Sequence, residues 1–254
     1  MPDNSLMVSN ITQLRELVRM IAERQNTQQR VLQVSAYLFN SFGIEAGSNA
    51  QIAAALGISP GNLTYHFKKK SDLITAHMAV FERRLKAVIT KLPRHSSAKQ
   101  FTAAYLDLLE LTLGYRFLFL GANYILRNEL VPVERYQRLV AVLKRTYIGH
   151  FNQLIAEGHM QPIKRPYSVR MLVDSIWWRW LGWLNSMQIA SRGKGSPDRK
   201  LLSEAVLQVF SLNQQYVDPK FFRAIQLELQ DIKRQEPDPQ QDLLRLLQGL
   251  RDTE

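Results

Sequence analysis

The chain has 254 residues, of which 46% are hydrophobic and 22% charged, so it carries enough apolar material for one large or two modest folded domains and is unlike a disordered protein. Its 33 lysines and arginines outnumber the 22 aspartates and glutamates, and the net charge of +11 favours a polyanionic partner, nucleic acid before an acidic membrane surface. On charge alone, a soluble protein that is merely basic is an equally good explanation. No cysteine is present, which excludes disulfides, thiolate metal sites and a cysteine nucleophile.

Signals for export or membrane insertion are not evident. Residues 1–10 lack the basic stretch followed by an apolar stretch that a secretory signal requires. The sequence contains no run of about 18 apolar residues, the length needed to cross a bilayer. We therefore expect a cytoplasmic protein with no membrane partner.

Apolar residues recur at helical spacing almost throughout the chain, which predicts an all-α fold. The first helix begins after Asn26, which can form a capping box with Gln29, and it ends at Gly43. One face of this helix is apolar and consists of Val31, Val34, Leu38, Phe39 and Phe42.

Two short helices are predicted next. Ser48 and Gln51 form a second capping box ahead of an Ala-rich helix, and Gly57 stands where a glycine often ends a helix. Ser59 caps the following helix, with Pro60 at the first helical position, where its missing N–H costs nothing.

The helices after this point are longer. One is predicted at 70–92 and stops at Pro93. The others, which are richer in aromatic residues, are predicted at 96–113, 115–128, 132–157, 167–191, 198–214, 219–234 and 239–251. Short helices followed by long ones indicate a small head on a larger helical bundle.

The two short helices, within residues 48–67, have the pattern of a helix-turn-helix. The small side chains of Ala53, Ala54 and Ala55 allow the helices to approach, and Ile52, Leu56, Ile58 and Leu63 form a miniature core. The second helix leaves four polar side chains without a core role: Asn62, Thr64, Tyr65 and His66. Amide and hydroxyl groups of this kind bond to base edges, and tyrosine and histidine reach bases or phosphates.

The charges around this motif are divided sharply. Residues 46–67 contain no formally charged side chain, and Lys68, Lys69 and Lys70 follow at once. Neutral polar groups suit base edges, lysines suit the flanking phosphates, and helix N-termini can add backbone N–H contacts to phosphate. This division favours a reader of DNA sequence.

Residues 27–92 resemble the DNA-binding head of the TetR family of bacterial transcriptional regulators. The resemblance is carried by Ile52-Ala53-Ala54-Ala55-Leu56-Gly57-Ile58-Ser59-Pro60-Gly61-Asn62-Leu63-Thr64-Tyr65-His66-Phe67 and continues through Lys68-Lys69-Lys70-Ser71-Asp72-Leu73. It implies a three-helix head at 27–67, a linking fourth helix, and a divergent bundle that binds a small molecule and dimerises.

The resemblance also implies which residues meet DNA. In the family the Tyr-His-Phe end of the recognition helix combines phosphate contact with packing, and a lysine at the start of the fourth helix touches the DNA backbone; Lys70 is the best match. With the residues derived above, the expected DNA contacts are Ser48, Asn49, Gln51, Ser59, Pro60, Gly61, Asn62, Thr64, Tyr65, His66, Lys68 and Lys70. The expected partner is a palindromic double-stranded operator bound by a homodimer, usually for repression.

Four regions follow from these elements. We predict an N-terminal extension at 1–26, which carries Arg15, Arg19 and Arg24, and a helix-turn-helix domain at 27–70. An effector-binding and dimerisation domain is predicted at 71–218, and additional C-terminal helices at 219–254.

The aromatic residues of the bundle have two possible roles. Trp177, Trp178, Trp180 and Trp183 can belong to the core and a dimer interface, which we expect on the helices at 167–191 and 198–214, or they can form the wall of an effector pocket. The candidate effector residues are Tyr105, Arg116, Phe119, Tyr124, Arg127, Tyr147, Trp177 and Trp180. We expect a hydrophobic or amphipathic effector, such as an acyl chain or aromatic acid, whose anionic end meets Arg116, Arg127 or Arg179 unless these arginines form ion pairs instead.

Other functions have weaker support. Gly57-Ile58-Ser59-Pro60-Gly61 matches the pattern of a hydrolase nucleophile elbow, but that motif needs a preceding strand, and a capped helix is predicted there. The five histidines lack metal-ligand spacing, so no metal, cofactor or catalytic residue is predicted. The competing class is a basic helical protein that binds lipid or acyl ligands and contains the helix-turn-helix incidentally.

Overall fold

A computed structural model describes residues 26–92, 97–190 and 199–234 of the chain. These ranges include the predicted helix-turn-helix and most of the long helices predicted after it. The predicted N-terminal extension up to residue 25, the glycine- and proline-containing turn at 193–197 and the predicted helix at 239–251 lie outside the described residues.

The described ranges are almost entirely helical. Apart from one isolated bridge between Met160 and Val217, no β-structure occurs in them, so the predicted all-α class is confirmed. The helices are α1 (Thr27–Ala46), α2 (Asn49–Leu56), α3 (Pro60–His66), α4 (Lys70–Thr90), α5 (Ala98–Gly114), α6 (Arg116–Leu120), α7 (Ala122–Arg127), α8 (Val133–Ala156), α9 (Val169–Ala190), α10 (Arg199–Asn213) and α11 (Pro219–Arg234).

Two predicted helices differ from the observed ones. The first continues to Ala46, but it kinks at Gly43, whose φ of +84° is one that residues with a side chain rarely adopt. The helix predicted at 115–128 is divided into α6 and α7 at Gly121. There the side chain of Ile44 packs so closely that a Cβ on Gly121 would lie 2.7 Å from its terminal carbon, so this position has no room for a side chain.

The chain divides into two compact units. Among the described residues, the first contains 26–81 and 114–132, and the second contains 82–92, 97–113, 133–190 and 199–234. The first unit therefore holds α1 to α3, the first half of α4, α6 and α7. The second unit holds most of α5 and the long helices α8 to α11.

A buried polar pair joins α1 to α4 in the first unit. Ser35 and His77 are fully buried, and Ser35 Oγ lies 2.8 Å from His77 Nε2. Because the Ser35 hydroxyl donates to the carbonyl of Leu32 at 3.1 Å, its lone pair is free to accept from Nε2–H. The imidazole is also enclosed by the rings of Phe39 and Phe117 at centroid distances of 5.9 and 5.1 Å.

The second unit has an aromatic core. Tyr105 of α5 contacts the rings of Tyr147 from α8 and Phe210 from α10, at centroid distances of 5.5 and 5.7 Å. The helix α11 packs on α10 and is capped by Asp218, whose carboxylate accepts the backbone N–H of Lys220 and Phe221. Its apolar face is buried through Phe221, Phe222, Ile225 and Leu229.

The His77 pair makes stability depend on pH. Burial lowers the pKa of His77 from 6.5 to about 3. The unfolded chain therefore binds a proton below pH 6.5 that the folded chain excludes, and stability is lost as the pH falls from 6.5 toward 3. We expect the wild type to lose about 2 kcal/mol more unfolding free energy than His77→Gln between pH 7 and pH 5, measured by urea denaturation.

Ser35→Ala serves as the matched control, because it removes the hydroxyl and keeps the imidazole. It should lower stability at every pH and retain the steeper dependence of the wild type. Equal pH dependences for the wild type and His77→Gln would show that His77 protonates within the folded protein.

Candidate DNA-binding site

The helix-turn-helix is stabilised by caps at both ends of α2. Ser48 Oγ accepts the backbone N–H of Gln51 at 3.2 Å, and the Gln51 side chain accepts the N–H of Ser48 at 2.8 Å. At the other end Gly57 has a φ of +67°, and Ile58 N–H donates to the carbonyl of Ala53 at 3.1 Å. Both caps predicted from the sequence are confirmed.

The recognition helix α3 begins in the same way. Ser59 Oγ accepts the N–H of Asn62 at 3.2 Å, and Pro60 occupies the first helical position. Ser59 is thus a helix cap between α2 and α3. A nucleophile elbow would need a strand before the serine, and here the helix α2 precedes it. The hydrolase alternative is wrong for this segment.

One face of α3 is buried and the other is open to solvent. Leu63 and Phe67 lie in the core, whereas Pro60, Gly61, Asn62 and Thr64 are exposed. Tyr65 is 82% exposed, and its ring meets the edge of the half-buried His66 at 5.2 Å. An exposed aromatic side chain beside neutral polar groups is available to a partner molecule. On α2, Ser48 is exposed, and Asn49 and Gln51 are half-buried.

The three lysines after α3 are in different environments. Lys68 and Lys69 are exposed, whereas Lys70 is half-buried. The Lys70 Nζ donates to the carbonyls of Ile44 at 2.7 Å and Glu45 at 3.4 Å, so it neutralises the C-terminal end of α1. Two of its three donors are thereby engaged. Burial lowers its pKa, an effect that the nearby Glu45 opposes.

Lys69 was not among the expected DNA contacts, although it is as exposed as Lys68 and belongs to the same run. The run of three consecutive lysines is the sequence signal that could have identified Lys69. The backbone N–H of Lys69 donates to the Asp72 carboxylate at 2.9 Å, and the side-chain ammonium group takes no part in that bond.

Four of the candidate effector residues surround one cavity in the second unit. Tyr105, Tyr147, Trp177 and Trp180 form part of its lining. Sequence reasoning missed the other lining residues, which are small or aliphatic and had no distinguishing signal: Leu109, Thr112, Val173, Ile176 and Val209.

The cavity lining is almost wholly apolar. None of its lining residues is charged, and the Thr112 hydroxyl donates to helix carbonyls of Leu108 and Leu109. Burial raises the pKa of both Tyr105 and Tyr147, so their phenols stay protonated and can donate hydrogen bonds. The cavity therefore suits a ligand that is largely apolar and uncharged where it is enclosed.

The other four candidate effector residues belong to the first unit and do not line this cavity. The buried Arg116 guanidinium donates to the carbonyl of Asn40 at 3.2 Å, and burial lowers its pKa to about 10. Phe119 packs on the ring of Phe81, Tyr124 lies beneath the Lys70 ammonium at 5.7 Å, and Arg127 is exposed at the end of α7. The lining provides no arginine for the anionic end that we expected.

Comparisons with known proteins agree with this architecture. A family model described as bacterial regulatory proteins, tetR family, matches residues 31–76, and the TetR model, described as a bacterial transcriptional repressor, matches residues 80–225. The second match covers more than half of the chain. The chain therefore belongs to the TetR family of transcriptional regulators, and the resemblance seen in the sequence is confirmed.

The individual relatives match only part of the chain or share low sequence identity with it. The HTH-type transcriptional regulator AcrR of Shigella flexneri is 42% identical over 53 residues, which are 21% of this chain and 25% of that protein, so the match spans a quarter of the relative. A TetR-family regulator from Marinobacter aquaeolei VT8 shares the fold with a TM-score of 0.67 and 23% identity, over 82% of this chain and 100% of that chain. CprB from S. coelicolor A3(2) does so with a TM-score of 0.61 and 15% identity, over 83% and 98% of the two chains.

These findings establish the class of protein: a transcriptional regulator with a DNA-binding helix-turn-helix. They set aside the alternative of a lipid-binding protein with an incidental motif. Within the described ranges, every helix is too short or too polar to cross a lipid bilayer.

The exposed residues divide into two groups that DNA-binding measurements can separate. We expect Asn62→Ala to relax the preference for one base, by about 1–3 kcal/mol, and to leave the salt dependence unchanged. We expect Lys68→Gln and Lys69→Gln to weaken all duplexes alike, because each lost phosphate contact makes the slope of log K against log salt shallower by about 0.9. Fluorescence anisotropy with specific and random duplexes measures both quantities.

Lys70→Met is the matched control for the lysine variants. Because the Lys70 ammonium group is hydrogen-bonded to carbonyls of α1, this substitution should lower the unfolding free energy by about 1 kcal/mol and change the salt slope little. A slope change as large as that of Lys69→Gln would mean that Lys70 leaves the α1 carbonyls for a phosphate.

Proposed function

We propose that this regulator is a homodimeric repressor that binds a palindromic operator and releases it when an uncharged, mainly apolar molecule enters the cavity of the second unit. The observation that supports the ligand class is the lining of this cavity, which combines four aromatic rings with aliphatic side chains and has no charged residue. A lipophilic molecule gains most in such a site, and the two phenols can orient one polar group on it.

The operator contacts follow from the exposed surface of the helix-turn-helix. Asn62, Thr64, Tyr65 and His66 of α3 would face base edges or the adjoining backbone. Phosphates would meet the exposed Lys68 and Lys69 and the N-terminal turns of α2 and α3, which comprise Ser48, Asn49, Gln51, Ser59, Pro60 and Gly61. Lys70 has one ammonium donor left beyond its two carbonyl partners and would contribute mainly to the stability of the head.

The dimer interface is assigned to one face of α9. Its exposed residues repeat with i, i+4, i+7 spacing and combine large apolar side chains with small or polar ones: Met171, Ser175, Trp178, Gly182, Asn185 and Ile189. Trp178 is 67% exposed, whereas Trp177 and Trp180 point into the unit and line the cavity. An aromatic side chain this exposed is typical of an interface anchor, so the tryptophan cluster would serve both roles that the sequence allowed.

Release requires that the ligand bind one arrangement of the dimer better than another. A dimer with two-fold symmetry reads half-sites about 34–36 Å apart, or a multiple of this distance, on one face of DNA. A ligand that prefers an arrangement with a different spacing of the recognition helices weakens operator binding by the ratio of its two affinities.

The proposal is tested by selecting duplexes from a random library with the full chain and then challenging the complex with two probes. N-phenyl-1-naphthylamine is neutral, and its 8-sulfonate is the same ring system with an anionic group. We expect a palindromic consensus, and we expect the neutral probe to quench tryptophan fluorescence and to release the operator at lower concentration than the sulfonate. Transcription from a promoter that overlaps the operator should fall when the protein is added and recover with the neutral probe.

Val209→Phe is the control for the site of action, because Val209 lines the cavity and the larger ring fills part of it. This variant should bind the operator as the wild type does and should require more of the neutral probe for release. Recovery of only random sequences would contradict the operator proposal, and preferential release by the sulfonate would contradict the ligand class.

The dimer interface is tested by Trp178→Glu, which places a negative charge in the centre of the exposed face of α9. We expect sedimentation to show a shift from dimer to monomer and operator affinity to fall by at least tenfold, because a single head contacts too few bases. Leu227→Glu is the matched control, since Leu227 is also exposed but lies on α11. If Trp178→Glu stays dimeric, the interface lies elsewhere.

A further inference from the structure

Asn40, near the end of α1, is a buried amide whose nitrogen and oxygen are both hydrogen-bonded. It is 3% exposed. Its Nδ2 donates to the carbonyl of Gly114 at 2.7 Å, and its Oδ1 accepts the backbone N–H of Phe117 at 3.1 Å. The two bonds use both ends of the amide and fix its orientation.

These bonds lie on the two sides of the junction between α5 and α6. Gly114 is the last residue of α5, where carbonyls lack an intrahelical donor, and Phe117 is in the first turn of α6, where N–H groups lack an intrahelical acceptor. Arg116, between them, donates from its guanidinium to the backbone carbonyl of Asn40 at 3.2 Å. The junction is therefore held to α1 by three hydrogen bonds that involve one residue, and breaking them would leave buried groups without partners.

The same helix α5 continues into the cavity wall. Tyr105, Leu109 and Thr112 line the cavity in the second unit, and Gly114, two residues after Thr112, belongs to the first unit. An α-helix is held by hydrogen bonds between successive turns and moves as a stiff rod over this distance. A displacement of Thr112 by a ligand therefore reaches the Gly114 carbonyl, to which Asn40 is bound.

On the other side, Asn40 is next to a close contact with the helix-turn-helix. The ring of Phe39 packs against Gly47, in the turn that leads into α2, so closely that a Cβ on Gly47 would lie 2.5 Å from the ring. The helix α1 also packs along α2. With so little free space, a shift of α1 near Asn40 cannot be absorbed at Phe39 without moving the start of α2.

We infer, on the basis of the ligand-released DNA binding proposed above, that Asn40 is the positioning residue that couples the cavity to the DNA-binding head of this chain. Its side chain holds the end of α5 to α1, and the ligand acts on the operator through this connection. Removing the two side-chain bonds should leave both binding sites formed and should disconnect them.

A second route competes with this one. The helix α4 also contributes to both units, which divide it between Phe81 and Glu82. In the second unit Glu82 accepts two hydrogen bonds from the guanidinium of Arg135 on α8, at 3.2 and 2.8 Å. If α4 carried the coupling, Arg135→Met would abolish it and the Asn40 variants would not.

The experiment measures the coupling factor, which is the ratio of the dissociation constants for N-phenyl-1-naphthylamine in the presence and absence of saturating operator duplex. Coupling factors between sites are typically about 5–150-fold. For Asn40→Leu we expect the factor to fall at least fivefold toward one, with the probe affinity of the free protein and the operator affinity of the unliganded protein each within about threefold of wild type. Asn128→Leu is the matched control, because Asn128 also donates its Nδ2 to a backbone carbonyl, that of Tyr124 at 2.9 Å, but on the exposed end of α7.

Asn40→Asp gives a second variant if Asn40→Leu folds poorly. It keeps the acceptor for Phe117 N–H, loses the donor to the Gly114 carbonyl and places an oxygen against it, so it should also lower the coupling factor. A purely structural role would lower the melting temperature of both variants and leave the factor at its wild-type value, and that result would overturn the inference. A wild-type factor of one, the absence of probe binding or failure to select any operator would contradict the proposed function itself, and the inference with it.

Discussion

The head of this protein depends on the satisfaction of backbone groups at helix ends. A helix leaves its first four N–H groups and last four carbonyls without intrahelical partners. In α2, with eight residues, and α3, with seven, those groups are a large share of the backbone. Isolated helices of this length are not stable in water, so caps and tertiary packing must hold them. The hydroxyls of Ser48 and Ser59 and the turn at Gly57 provide the local part of this stabilisation.

This constraint also explains how the surface of α3 remains available for recognition. Because Ser59, Leu63 and Phe67 provide the cap and the core contacts, exposed side chains such as those of Asn62 and Tyr65 are not part of the core. The helix can therefore carry neutral polar residues outward without a cost in stability. The positive charge lies just after the helix, at the exposed Lys68 and Lys69. Lys70 is the exception, since the end of α1 needs its ammonium group.

The caps also show how much could be predicted from the sequence. The capping boxes of Asn26 and Ser48 join residues three apart, so their pattern is visible in one turn of sequence and was predicted correctly. Lys70 lies 26 residues from its carbonyl partner, and Asn40 lies 74 and 77 residues from its partners. No local sequence pattern indicates such contacts, because they form only when a distant part of the chain packs against α1.

The same packing determines where residues 114–132 lie. Residues 114–132 follow α5 directly, and their aromatics and arginines have the composition of a pocket wall, yet this segment folds with the first unit. Helical periodicity within α9 was more informative than composition, since it separates Trp177 and Trp180 from Trp178 by face. The sequence therefore predicted the helices well, whereas the grouping of side chains from different helices depends on how the chain packs on itself.

The connection proposed through Asn40 can be compared in magnitude with the coupling that it would carry. A coupling between two sites amounts to about 1–3 kcal/mol. A net hydrogen bond contributes about 0.5–1.5 kcal/mol, and a charged donor somewhat more. The three bonds around Asn40 thus hold the end of α5 with a free energy of the same order as the coupling itself. Much weaker hydrogen bonds would break before the head moved. The free energy for the movement would come from the difference between the ligand's affinities for the two arrangements. An apolar cavity is suited to provide this difference in affinity, because van der Waals contacts weaken steeply as the walls of the cavity separate.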